Sequence, residues 1–522
     1  MVNKTRGVIA AGHEKTAEAG KIMFDLGGNS FDAAIAAVLA SFVVESVLTS
    51  AGGGGFLLAH TQDHQNILFD FFCQTPRRKR NRQEVDFYDV QLNFGGEIQE
   101  FHIGLGSIAV PGSLAGLFEI HQRLGKLPFD LVAEPAINYA KNSFRVKKFN
   151  AYCYQLLSPI LLNTLESRKI YAPEGKLLKT GQICYMTDFA ETLTQLVSQG
   201  SQGFYRGEIA RQIVKDLSKG GYLTEEDLEN YQVITRNPLK ITYRNYEILT
   251  NPPPSSGGIL IAFALKLLED YDLSKIEFGS QQHLEILAEI MRLTNQARQE
   301  KYDAYLYQKN VEESFLSATS RKNYQQQLQT ILNKWGSTTH VSVLDEDGNA
   351  ASVTTSNGEG SSYIVPGTGI MLNNMLGEAD LNPLGFHQWQ ENQRISSMMS
   401  PTIVLKEGKP KIVLGSGGSN RIRTAIFQVI SNLIDFELPI EVAVNSGRVH
   451  WENYIYSLEP APGREQILDE LNFCQETQIV LWEQQNMFFG GVHTVGQGKD
   501  GTLQGAGDTR REGVILGATR EG

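Results

Sequence analysis

Residues 338–356 read TTHVSVLDEDGNAASVTTS. Two runs that alternate with period two, THVSVL (339–344) and AASVTTS (350–356), flank DEDGN (345–349), whose Asp347-Gly348 is a strong short-range hairpin signal. A symmetric five-residue loop pairs Leu344 with Ala350, and counting outward at constant sum sets Thr338 opposite Ser356. Side chains paired in that way share a face and lie about 4.5–5.5 Å apart at Cβ, close enough for one hydroxyl to bond the other. The hairpin therefore can hold a nucleophile, although Thr-Thr also suits a strand through β-propensity alone.

Around the hairpin the chain has the texture of a folded α and β protein. Its 522 residues are 41% hydrophobic and 20% charged, without the Pro-rich or low-complexity tracts that mark disorder. A net charge of −11 argues against nucleic acid as a partner, because phosphate binding needs a basic stripe, and the main basic run, RRKRNR (77–82), reads as a solvated loop. AAIAAVLASFVV (33–44) is too short to span a bilayer, follows the capping pair Asn29-Ser30, and reads as a buried helix. The N-terminus carries no signal-like apolar segment, so a cytoplasmic location away from membranes is expected. Four cysteines without a CxxC and ten histidines without an HxxxH pair indicate neither a disulfide framework nor a metal site, and no cofactor is implied.

Residues 110–245 look mainly helical, NILFDFF (66–72) reads as a strand, and NPPPSSGG (251–258) reads as a rigid turn opening a helix. Residues 309–334 have the character of an exposed helix or connector. From 338 onward the texture is β, in YIVPGTGIML, PTIVLKEGKPKIVLGSGG and GVILGA as well as the hairpin.

A threonine hydroxyl is a poor nucleophile without an adjacent base, and no His-Asp pair stands near Thr338 in sequence. His340 shares its strand face but reads more simply as a packed histidine. Cutting the peptide bond before Thr338 would free an α-amine of pKa about 8 that can take the hydroxyl proton. Gly336-Ser337 offers an uncrowded place for such a cut by an N-to-O acyl shift. Oxyanion chemistry needs closely approaching backbone donors, and LGSGGSNRIRT (414–424) supplies a Gly-rich turn between a strand and a helix start. Neither this turn nor GGGGF (52–56) fits GxxxxGK[ST] or an intact GxGxxG, which counts against a nucleotide-binding protein.

TTHVSVLDEDGNA, with GGNSFDAA (27–34), SAGGGGFLL (50–58) and NPPPSSGG before it, and GIMLNN (369–374), SSMMSPTIVL (396–405), GSGGSNRIRT (415–424) and LQGAGDTRREG (503–513) after it, resembles the γ-glutamyltransferase family along nearly the whole chain. The resemblance implies an α+β fold, the four-layer αββα sandwich of N-terminal nucleophile hydrolases. It implies a proenzyme cut between Ser337 and Thr338 into segments 1–337 and 338–522, which stay associated as one unit. It also implies acyl transfer through a Thr338 ester from a γ-glutamyl amide such as glutathione to water or an amino-acid amine. Ser356 takes the place of the residue that steadies the nucleophile. The paired oxyanion donors fall on Gly418 and Ser419 without a gap, or on Gly417 and Gly418 with a one-residue shift.

The glutamate-recognition set departs from the family pattern. The Asp-Phe-Arg-Glu motif, whose arginine grips the glutamyl α-carboxylate, reads Asp70-Phe71-Phe72-Cys73, and phenylalanine cannot replace a bidentate guanidinium. Glu378 is left as the carboxylate for an α-amine. The expected asparagine aligns with Gly358 beside Asn357, and the serine pair aligns as Ser397-Met398 or as Ser396-Ser397. Arg77, Arg78, Arg394 and Arg421 are the arginines that could supply the missing charge. The segment between Glu378 and Ser397 is short for a lid, which suggests an open site. Two alternatives stand beside γ-glutamyl transfer: an acylase of the same fold that takes a non-glutamyl acyl group, and an uncut, non-catalytic binding protein.

Overall fold

A computed structural model describes residues 5–93, 98–317, 338–473 and 476–519. Ser337, the preceding connector from 318, and Cys474 lie outside the described residues. The helix read from AAIAAVLASFVV runs Ser30–Val44 and is buried at every position. Asn29 caps it by accepting from the N–H groups of Phe31 and Asp32, while Asp32 accepts the N–H of Asn29, a complete capping box. Each of its large apolar side chains adds about 1.5–3 kcal/mol by leaving water.

The described strands form two main sheets. The first orders Val514–Thr519, Thr5–Ala11, Thr339–Asp345, Ala350–Ser356, Gly54–His60, Asn66–Phe71 and Ile234–Arg236. The second orders Leu503–Ala506, Gly491–Gln497, Lys409–Gly417, Thr402–Lys406, Tyr246–Thr250 and Leu239–Tyr243. Helices Glu14–Asp25 and Ser30–Val44 cover the outer face of the first sheet, and Ser256–Leu268 with Arg421–Ile434 cover the second, giving the αββα order. Each sheet mixes strands from both sides of Thr338, so both segments build each sheet.

Period-two alternation divides the strands between two cores. Ile9, Ala11, Leu57, Ala59, Val341 and Val343 point into the helix-covered core. Val8, Ala10, Phe56, Leu58 and Leu344 point into the core between and beyond the sheets. The hairpin register agrees with the sequence count, from Leu344↔Ala350 out to Thr339↔Thr355. YIVPGTGIML departs from its β reading. Gly367 and Gly369 take left-handed backbone, the run forms a loop, and the isolated bridges Ile364↔Met371 and Gly52↔Leu372 take the place of a ladder. Among the described residues, no helix is long and apolar enough to cross a membrane.

Candidate active site

Continuing the hairpin register one step beyond Thr339↔Thr355 sets Thr338 against Ser356, and both line one cavity. Phe72, Met375, Leu381, Met398, Met399 and Ile422 give this cavity its apolar wall, and Glu378, Asp380, Ser397 and Ser419 its polar one. Among the described residues, no Lys, Arg or His lies on the wall.

Alternation aims Thr338, His340 and Ser342 toward the second sheet and Thr339 toward the helices. His340 packs against Gly415, where a Cβ would strike its ring. Its Nδ1 lies 2.8 Å from Thr354 Oγ1 and its Nε2 2.9 Å from Ser342 Oγ. Ser342 already donates its proton to the carbonyl of His493, so it accepts from His340 Nε2–H, and Nδ1 accepts from Thr354. Burial pushes the imidazole well below its ordinary pKa, and both nitrogens are occupied. His340 is a structural histidine that ties strand to strand.

On the other side of the strand, Thr339 donates to Glu45 Oε2 at 2.5 Å and Thr16 donates to Glu45 Oε1 at 2.6 Å. Burial raises the pKa of Glu45, against which these two hydroxyls and nearby Arg511 act. Arg511 Nη1 donates to the Thr338 carbonyl at 2.9 Å. Sequence reasoning assigned no role to either residue. Arg511 lay inside the LQGAGDTRREG motif, and Glu45 showed itself only as an acid closing a strongly apolar helix.

The Gly-rich turn meets the nucleophile strand edge-on. A Cβ on Gly417 would collide with the Thr338 carbonyl oxygen, which explains glycine there. Gly418 (φ 124°) and Ser419 (φ 49°) take left-handed backbone before helix Arg421–Ile434 begins. Among the described residues, neither N–H has a hydrogen-bond acceptor. Ser419 lines the cavity and donates its hydroxyl to Asp380 at 2.7 Å.

Of the other residues read from sequence, Glu378 and Ser397 reach the cavity. Asn357 instead accepts from Ser50 Oγ at 2.8 Å and does not line it. Asp70 is buried against Arg236 at 2.8 Å and Arg394 at 3.5 Å. Arg394 also donates to the carbonyls of Phe72 and Gln232 and to the Tyr231 hydroxyl, so its guanidinium serves the inside of the Phe72 loop. The Arg77 backbone N–H donates to Asp227, the Arg78 guanidinium pairs with Glu226, and Arg421 is buried over the Phe488 ring. None of the four arginines stands on the cavity wall. Among the described residues, no group of three or more His, Cys, Asp or Glu side chains could hold a metal ion.

Residues 16–518 match the sequence profile of the family described as Gamma-glutamyltranspeptidase. The chain belongs to this family. It is 31% identical to the glutathione hydrolase proenzyme of Escherichia coli (strain K12), over 98% of this chain and 91% of that protein. It is 29% identical to the Acylase ACY 1 proenzyme of Pseudomonas sp. (strain V22), over 98% of this chain and 93% of that protein. The crystal structure of cephalosporin acylase from Bacillus halodurans superimposes with a TM-score of 0.85 at 25% identity, covering 99% of this chain and 96% of that one. As a member of the γ-glutamyltranspeptidase family, the chain thus has relatives on both sides of the family's split between glutathione hydrolases and acylases.

Proposed function

We propose that this protein is a self-processing amide hydrolase that cuts itself before Thr338, forms an acyl-Thr338 ester, and prefers an uncharged acyl group to glutamyl. The freed Thr338 amine takes the proton of its own hydroxyl, and the hydroxyl oxygen attacks the substrate carbonyl. Ser356 steadies that hydroxyl. Gly418 and Ser419 N–H groups receive the oxyanion; Ser419 lies on the cavity wall, which favours this pair over Gly417 and Gly418. The amine leaves with the proton, and water or a second amine then takes the acyl group from Thr338.

The observation that carries the acyl preference is the place of Phe72 on the wall beside Thr338, with no cation among the described wall residues to meet an α-carboxylate. A site that lacks the partner of a buried charge discriminates against it by orders of magnitude. γ-Glutamyl transfer is the second reading, favoured by Glu378 on the same wall as a partner for an α-amine.

Two measurements test the proposal. Intact mass of wild type beside Thr338→Ala is expected to give two fragments and one uncut chain respectively; an uncut wild type would overturn self-processing and favour a binding protein. On the processed enzyme, butanoyl and glutaryl anilides compared with the γ-glutamyl anilide are expected to favour butanoyl. Faster γ-glutamyl release at a low KM would restore the second reading.

A further inference from the structure

We propose that a groove running outward from the nucleophile cavity past Leu381 is a second subsite, which receives the distal end of a long acyl group carrying an uncharged aromatic ring. This rests on the acyl-Thr338 reading and names its substrate class.

The groove has a volume of about 440 Å³ between the 303–308 turn and the 381–396 segment. Leu381 belongs to its wall and to that of the nucleophile cavity, and Ser396 on its wall precedes Ser397 on the other. The two spaces therefore adjoin at Leu381. Tyr305, Tyr307 and Leu384 are 46%, 47% and 71% exposed around this one groove. Apolar surface gathered in a concavity gains about 25 cal/mol per Å² when a ligand covers it, and aromatic walls favour ring partners.

Trp389 supplies an independent sign of a ligand. It is only 9% exposed, and its indole N–H finds no acceptor among the described residues. A buried donor left unpaired costs about 1–3 kcal/mol, which an acceptor on the ligand recovers. The indole is held in place, with Lys79 Nζ 4.8 Å over its ring and Tyr222 set edge-on at 5.3 Å. It is a fixed platform.

Charge decides the class of tail. Among the described residues, Asp303 is the one charged residue on the groove wall, and Arg298 holds it at 3.0 Å. The wall itself, among the described residues, offers an anionic tail no cation, whereas a neutral ring meets apolar walls, and a ring that carries an acceptor also meets the Trp389 donor. A short acyl group ends beside Phe72 and Met375; only a longer one passes Leu381.

The test uses processed wild type, Leu384→Glu and Leu384→Met, with butanoyl, hexanoyl and phenylhexanoyl anilides. In wild type and Leu384→Met the phenylhexanoyl to hexanoyl ratio of kcat/KM is expected to be about ten or more, from the added apolar burial. In Leu384→Glu it falls to about two or less, as the new carboxylate repels apolar contact. In parallel, calorimetry follows phenylhexanol, which carries the tail without a scissile amide, and is expected to show a Kd at least about five-fold weaker for Leu384→Glu. A ratio near one in wild type, or a dependence on the leaving amine's ring in place of the acyl tail, overturns the assignment. If no anilide is cut, the acyl-transfer reading fails, and the phenylhexanol arm alone then decides the subsite: equal Kd values for wild type and Leu384→Glu overturn it.

Discussion

Arg511 donates from Nη1 to the backbone carbonyl of Thr338 at 2.9 Å, which ties the last segment of the chain to the first residue of the candidate nucleophile strand. Burial lowers the guanidinium's pKa, while Asp508, Glu45 and Glu359 favour its charge. A charged hydrogen bond of this kind contributes about 1.5–3 kcal/mol. Arg511→Met keeps much of the bulk and removes every donor. Its kcat is expected to fall about 10- to 150-fold with a smaller change in KM, and Arg511→Lys to fall between it and wild type. Steady-state kinetics on processed protein check this, and an unchanged kcat would mean that the Thr338 carbonyl needs no anchor.

Glu45 holds the same strand from the helix side through Thr339. In Glu45→Gln one of the two acceptor oxygens becomes a donor, so the two threonine hydroxyls can no longer both be received. Turnover is expected to drop about 3- to 10-fold, the cost of one hydrogen bond near 1 kcal/mol. Stability moves differently. Burial raises the folded-state pKa of Glu45, so above the ordinary glutamate range the folded chain binds more protons than the unfolded one, and stability drains away as pH rises. Removing the carboxyl removes that drain. The melting temperature of Glu45→Gln should decline less between pH 5 and 8 than that of wild type.

The hairpin was legible because a five-residue loop leaves one register that keeps Val341, Val343 and Val353 on one face and Thr338, Ser342 and Ser356 on the other. The long buried helix was legible from Asn29 and its unbroken apolar run. What pattern could not supply was the third dimension around Phe72. Motif comparison placed a phenylalanine where an arginine was expected and left four arginines as substitutes. Only packing shows that Arg394 turns inward to Asp70 and Tyr231 while Arg421 sits over Phe488. Glu45 and Arg511 escaped for the same reason, since they meet the nucleophile strand across 294 and 173 residues of chain. YIVPGTGIML misled because its β-branched residues suit a strand while its glycines bend it out of one.

His283 offers a stability test far from chemistry. It is 3% exposed, stands between Phe278 and Phe436, and accepts the Gly279 N–H on Nδ1 at 3.0 Å. Burial, helped by Arg464, lowers its pKa to about 4. From the ordinary value near 6.5 down to about 4, the unfolded chain takes up a proton that the folded chain refuses, so stability falls as pH drops through that window. Above it nothing is lost. His283→Asn keeps an acceptor and does not titrate. It should lose about 2 kcal/mol less than wild type between pH 7 and pH 5 in urea melts. Buried His13, His450 and His493, with pKa values lowered to about 3, 4 and 4, keep part of the acid sensitivity in the variant.

Phe72 is the residue whose replacement should move the substrate preference. Its ring is buried, stacks on Phe56 with centroids 5.4 Å apart, and shares a wall with Glu378 and Asp380. Those carboxylates give an introduced guanidinium partners, so Phe72→Arg buries a charge that is not alone. The new cation penalises an apolar acyl group and meets a glutamyl α-carboxylate. The γ-glutamyl to butanoyl ratio of kcat/KM is expected to rise at least about 10-fold, mostly through loss on butanoyl. Phe72→Leu, which keeps the wall apolar, should leave that ratio within about three-fold of wild type, since hydrophobic swaps cost little discrimination. If Phe72→Arg folds and is processed but the ratio stays put, acyl choice is made elsewhere on the wall, and Glu378 becomes the residue to change next.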